Sequence, residues 1–346
     1  MRLAVFALLL ALPAAGLRSG GGDAPPEQLS ATGLYADPAK LVVDPANRPY
    51  SPQYPLWSDG AQKARWIRLP EGGRIDASNP DAWVFPPGTK LWKEFTFAGR
   101  KVETRLMWRA PSGSWKYATY VWNASQTEAR LAPEDGLKHH ASLGDGLAHS
   151  IPAVKDCRTC HENGGPEVLG FNALQLSPDR DPLAPHGEPW KPGMLDLSTL
   201  LAEGTLQHAP AAWAERPPKV PARTPRERAV LGYLAANCAN CHPGSSGVLA
   251  RLGLDFRVPS RVADPLALPW RESTLDVSGK TTVPDAPEGE TRRLRPGAPD
   301  HSLVTFRMAS RRPARQMPPV GSVKPDEVAL ALLRAWIAED LAPARR

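Results

Sequence analysis

Two pentapeptides hold the residues best suited to chemistry, Cys157-Arg158-Thr159-Cys160-His161 and Cys238-Ala239-Asn240-Cys241-His242. Together they use all four cysteines of the 346-residue chain. Each sets two thiols three positions apart and a histidine directly after the second. At that spacing both thiols reach the two vinyl groups on one edge of a porphyrin and form thioethers, and the next imidazole falls beneath the iron as proximal ligand. The expected cofactors are therefore two covalently bound haem c groups. Cys157, Cys160 and His161 hold the first, and Cys238, Cys241 and His242 the second. Two other chemistries compete. A zinc site joining the two C-x-x-C halves needs no histidine after each, and the gap from Cys160 to Cys238 is far longer than a zinc ribbon uses. Redox dithiols or plain disulfides also leave the twin histidines unexplained.

A sixth ligand is legible for the second iron. Upstream, Ala229, Val230, Leu234 and Ala235 recur at helical spacing, with Glu227 near the start, and predict a helix over 225–237 that delivers the chain to Cys238. Downstream, Gln316-Met317-Pro318-Pro319 sets a thioether in a loop that its prolines keep from becoming helical. Pro325, Asp326 and Glu327 then open a closing helix with Val328, Leu332, Leu333, Trp336 and Ile337 on one face. Met308, in an expected helix over 302–310, suits core packing better. In this order of features residues 225–341 resemble class I cytochromes c, and the resemblance implies His242 and Met317 as axial ligands.

The first iron is harder to complete. No convincing helix precedes Cys157, and no Met-Pro loop follows it. Met194, after the Pro192-Gly193 turn and before a helix-like stretch at 195–202, is the favoured distal ligand. His186, His208 and His149 compete with it, and a five-coordinate iron stays open.

Residues 30–135 have a different texture. Seven of the eleven tryptophans fall between Trp57 and Trp122, and the region has neither Cys nor His. Segments 90–97, 101–109 and 114–122 are rich in aromatic and β-branched residues and are joined by turn sequences, which predicts an antiparallel meander. In the middle segment Val102, Thr104, Leu106 and Trp108 alternate with Lys101, Glu103, Arg105 and Met107, the pattern of a strand with one covered face. The tryptophans read as core rather than as a ligand platform. The expected architecture is an N-terminal all-β antiparallel sandwich at 30–135, followed by mainly α, cytochrome c-like haem domains. A first haem region spans 136–215, a proline-rich connector 216–225, and a second haem domain 226–346. Within the last, 255–299 is a long insertion that would cover the haem edge or serve in docking.

Residues 1–16 read as a secretory signal peptide: a basic start, a short apolar run and small residues beyond. The run is too short to span a bilayer, so an exported or periplasmic protein with no membrane segment after cleavage is expected. The net charge of +6 is spread along the chain. It gives little support to nucleic-acid binding and suits a redox partner with an acidic docking surface.

Several stretches carry a wider resemblance: Tyr54-Pro55-Leu56-Trp57-Ser58-Asp59-Gly60-Ala61, Phe85-Pro86-Pro87-Gly88-Thr89-Lys90-Leu91-Trp92-Lys93, Leu169-Gly170-Phe171-Asn172-Ala173-Leu174-Gln175-Leu176 and the 316–319 loop. In these the chain resembles exported bacterial di-haem c-type cytochromes of largely undefined role. The resemblance implies haem c binding and electron transfer, with no catalytic residue assigned. The competing expectation is a di-haem peroxidase-like oxidoreductase with a five-coordinate first haem.

Overall fold

The computed structural model describes residues 24–162, 166–247, 249–286 and 292–342. The expected signal peptide, 1–16, lies outside them. The strands are β1 (Tyr35–Asp37), β2 (Val42–Val43), β3 (Arg48–Pro49), β4 (Gln62–Arg68), β5 (Ile75–Asp76), β6 (Lys90–Phe97), β7 (Arg100–Arg109), β8 (Trp115–Trp122), β9 (Ala129–Leu131), β10 (Leu137–Gly144), β11 (Leu147–Ile151) and β12 (Leu206–Gln207). Six of them form one antiparallel sheet in the order β3-β4-β6-β7-β8-β9. β1 with β2 and β10 with β11 make antiparallel ribbons, and β12 lies parallel to β5.

Both faces of the large sheet are covered. Trp92, Leu106, Ala118 and Tyr120 point to one side and pack on Leu29 and Leu34. Ile67, Leu91, Trp115 and Tyr117 point to the other and pack on Phe171, Leu176, Leu197 and Trp213. Residues 30–135 and the 168–213 stretch thus share one core, and the tryptophans at 83, 92, 115 and 122 are buried in it or beneath the sheet.

The helices are α1 (Val154–His161), α2 (Leu197–Ala202), α3 (Pro225–Asn237), α4 (Pro269–Thr274), α5 (Leu303–Met308) and α6 (Glu327–Ala335). α3 begins as its sequence dictates: the Thr224 side chain accepts from Glu227 N, and Pro225 occupies the first turn. Asp326 caps α6 by accepting from Ala329 N. A second core joins these helices, centred on Leu231, Leu234, Leu333 and Trp336, and includes Met308. The Trp336 ring stands edge-on to Trp270 at 5.1 Å, and its Nε1 donates to the buried Glu227 carboxylate at 3.2 Å. Gly232 of α3 lets the Tyr54 ring lie against the helix backbone, since a Cβ there would sit 2.1 Å from the ring.

The expected sandwich followed by mainly α, cytochrome c-like haem domains is corrected by this architecture. The largest element is the single six-stranded sheet, and the six α-helices among the described residues are short, the longest having 13 residues. The expected terminal helices, α3 and α6, do form. Between them the chain is largely irregular, because prolines at 243, 259, 265, 269, 299, 313, 318 and 319 withhold backbone donors and block helix continuation. In 136–215 the β10–β11 ribbon and two helices of 8 and 6 residues stand where a helical domain was expected.

Candidate functional site

A cavity of about 1290 Å³ lies between the inner face of the sheet, α1 and the chain that follows α3. It exceeds the roughly 300–1,000 Å³ of ordinary small-molecule pockets. Both C-x-x-C-H motifs border it: Cys157, Cys160 and His161 from the first, Asn240 and Cys241 from the second. The Cys160 and Cys241 thiols lie within hydrogen-bonding reach of each other, which holds Cys241 below the ordinary thiol range and raises Cys160. All four cysteines are free. Cys238 packs on the second core, and burial pushes its thiol up to about 12.

The first motif rides on α1, whose residues are all partly or fully exposed. His161 Nδ1 lies 2.7 Å from Glu167 O. A carbonyl only accepts, so Nδ1 carries the proton and the Nε2 lone pair is left for a metal, the usual outer-shell arrangement of a ligating histidine. The ring stacks on Tyr117 at 5.5 Å. The half-buried imidazole is pushed below its ordinary range by desolvation at the cavity wall; the bond to Glu167 opposes this, and the Lys93 and Arg105 cations add to it. At neutral pH the ring is the neutral form that binds metals.

The second motif follows α3 directly, and the His242 N–H donates to Cys238 O at 2.9 Å. His242 is buried between the wall residues Cys241 and Pro243, edge-on to Phe256 at 6.2 Å. Its Nδ1 has no hydrogen-bond partner among the described residues. Burial, then the Arg307 and Arg293 guanidiniums, pushes it down to about 4. A neutral buried imidazole, paired thiols and a large adjoining cavity fit a covalently attached haem; the first motif fits one as well, and there the Nδ1 partner that orients a ligating ring is present in Glu167 O, while at His242 Nδ1 has none among the described residues.

Comparison with models of protein families, with curated proteins and with solved structures returned no match. The functional reading therefore rests on the residues themselves.

The expected distal ligands fare differently. Met317 is half-buried, its N–H donating to Arg307 O at 3.0 Å; its own side chain is not on the cavity wall, which the loop directly after it, 318–323, helps to line. Met194 closes a turn with Lys191 and does not reach the cavity wall. His186 contacts Asp326 Oδ1 at 2.8 Å and stacks on Trp57, and the exposed His208 contacts Asp76 Oδ1 at 3.0 Å. His149 is on the wall with both ring nitrogens engaged, by Glu103 Oε1 at 2.9 Å and Asp59 Oδ2 at 3.4 Å. Asp59 Oδ1 in turn accepts from the Val323 and Lys324 N–H groups at 2.7 and 2.9 Å, tying the methionine loop to the sheet.

Sequence reasoning missed the side chains that β4, β6, β7 and β8 project into the cavity: Arg65, Lys93, Arg105, Met107 and Tyr117. The alternation in β7 marks Glu103, Arg105 and Met107 as an outer, polar face, yet Glu103 is 0% exposed. A cofactor-facing surface and a solvent-facing one have the same polar pattern. The usable signal was the row of charges that falls into register across the strands. From the expected insertion over 255–299, Arg257, Val258 and Val262 also line the cavity. Among the described residues no helix is long and apolar enough to cross a membrane.

Proposed function

We propose that this chain is an exported di-haem c-type cytochrome that relays electrons between two covalently bound haems. The observation that carries the reading is the convergence of both C-x-x-C-H motifs on one cavity, with Cys160 and Cys241 side by side. Each bound haem supplies an iron that takes up and returns one electron. The chain does the rest: Cys157 with Cys160 and Cys238 with Cys241 fix the two groups, and His161 and His242 present neutral imidazoles. The sheet, residues 257–262 and the 318–323 loop wall the cavity and would shield the bound groups from water. A low-dielectric enclosure carrying arginines beside each histidine favours the reduced iron electrostatically. Met317 is the proposed distal ligand of the second iron. Met107, the methionine on the cavity wall, is the proposed distal ligand of the first. Residues 1–16 support export, and the net charge of +6 suits a redox partner with an acidic docking surface.

A second reading, a di-haem peroxidase with a five-coordinate first haem, is favoured by one observation: Met194, His186 and His208 are off the cavity wall, and His149 is engaged at both nitrogens. Absorption and electron-spin spectra before and after peroxide separate the two. The relay predicts two low-spin haems and no rapid reaction. A high-spin component consumed by peroxide would establish the second reading, and a colourless protein would remove both.

A further inference from the structure

Three cations stand side by side on the sheet face that looks into the cavity. Arg65 of β4 is paired in register with Lys93 of β6, and Lys93 with Arg105 of β7. Like charges on adjacent strands repel, so each needs an anion. Arg65 has Glu188, at 2.7 and 3.2 Å, and Arg105 has Glu103, at 2.6 and 3.2 Å. Lys63, one step along β4, donates to Leu56 O at 2.8 Å. Lys93 makes no hydrogen bond or ion pair among the described residues; its ammonium lies 4.9 Å from the Phe95 ring centroid. The anion that acts on it, Glu188, is already held by Arg65 and by the Ser51 hydroxyl at 2.9 Å. Burial, reinforced by Arg65, Lys63 and Arg105, holds Lys93 well below the ordinary ammonium range. Half-buried at the cavity wall between two guanidiniums, the amine keeps its proton only with an anion beside it, and the chain's own carboxylates are taken, so the anion comes from outside the chain's own side chains.

We propose that Lys93, flanked by Arg65 and Arg105, is a carboxylate-binding site on the cavity wall and that it holds a propionate of the haem attached at Cys157 and Cys160. The inference rests on the di-haem reading above. Assignment to the first haem follows from the strands: His161 rests on Tyr117 of β8 at 5.5 Å, β8 pairs with β7, and Arg105 of β7 pairs with Lys93; in keeping with this, Lys93 and Arg105 act on His161, whereas the cations acting on His242 are Arg307 and Arg293. Lys93 then has two effects. It fixes the rotation of the first haem in its plane, and its charge favours the reduced iron.

The test uses the full chain loaded with haem in a host able to attach it, with Lys93→Gln and Lys93→Arg compared by redox titration and by the propionate bending bands in resonance Raman spectra. Lys93→Gln is expected to lower one of the two midpoint potentials, leave the other in place and displace one propionate band; Lys93→Arg is expected to keep both potentials near those of the parent. Unchanged potentials and bands in a fully loaded Lys93→Gln protein would overturn the proposal. So would a lowered potential with unmoved bands, which marks a through-space charge and no contact. If Lys93→Gln fails to load the first haem, Lys93→Arg decides: loading with a near-parental potential supports the site, and failure to load overturns it. A parent chain that carries no haem overturns the di-haem reading itself, a result distinct from all of these.

Discussion

The two motifs share a sequence pattern and a cavity but are supported in different ways. Cys238, Cys241 and His242 follow a 13-residue helix anchored in its own core, and the ring that stands edge-on to His242 is Phe256, a little further along the chain. Cys157, Cys160 and His161 ride on an eight-residue helix with no buried residue. Their enclosure is shared between strands at 65–117, far upstream in the chain, and the neighbouring stretches 149–153 and 166–170. The comparison teaches that the six-stranded sheet is no accessory domain. It walls the cavity that Cys157, Cys160 and His161 border, and it turns a row of charges toward them.

The largest test of this division removes each support separately. Trp336→Ala empties the centre of the second core and is expected to cost about 3–5 kcal/mol, as is Phe171→Ala in the first. Urea unfolding measures the loss, and the haem spectra show whether each change disturbs its own site first. Equal disturbance of both sites by either variant would merge the two supports into one.

A smaller effect is expected where the 318–323 loop is linked to the sheet through Asp59, His149 and Glu103. For His149 burial alone would favour the neutral ring, but the hydrogen bonds to Asp59 and Glu103 outweigh it and raise the pKa above its ordinary 6.5. A raised histidine stabilises fully below its unfolded value, and the contribution is lost as pH climbs through the folded one. Stability should therefore decline as pH rises above about 6.5. His149→Gln should remove that slope and cost about 1–3 kcal/mol at low pH. Unfolding curves at several pH values check both.

Volume-conserving changes at the proposed distal ligands should cost less than about 1.5 kcal/mol in stability while changing the electronic state. Met317→Leu is expected to make the second haem high-spin and lower its potential, and Met107→Leu to do so at the first. If Met107→Leu leaves the spectrum alone, the first site lacks a ligand from the sheet, and the contrast with the second sharpens. The smallest effect belongs to the exposed Arg48–Glu203 pair, 3.2 Å apart, which links β3 to the end of α2. Arg48→Ala should change stability by only about 0.2–1 kcal/mol, with both haem spectra untouched.

The legibility of these regions followed the range of their interactions. α3 and α6 were readable because capping, proline placement and apolar spacing act within a few residues of each other. The strands 90–97, 101–109 and 114–122 were readable for the same reason, and they form within a residue of those limits. The mainly α character was misjudged because the resemblance of one ordered set of features, helix to motif to Met-Pro loop to helix, stood in for the proline-broken chain between them. Met107, Arg105 and Lys93 were missed because their role depends on what faces the sheet, and alternation alone does not distinguish solvent from a cofactor. Met194 shows the converse: a local turn made it attractive, and the tertiary structure leaves it off the wall.

The central claim is that two haems are bonded to this one cavity, and intact mass with absorption of the mature chain, isolated from a host that attaches haem, tests it most directly. The account predicts a coloured protein heavier than its polypeptide by two haem groups, with Cys157→Ser/Cys160→Ser and Cys238→Ser/Cys241→Ser each losing one. A colourless chain whose mass is that of its amino acids alone would contradict it.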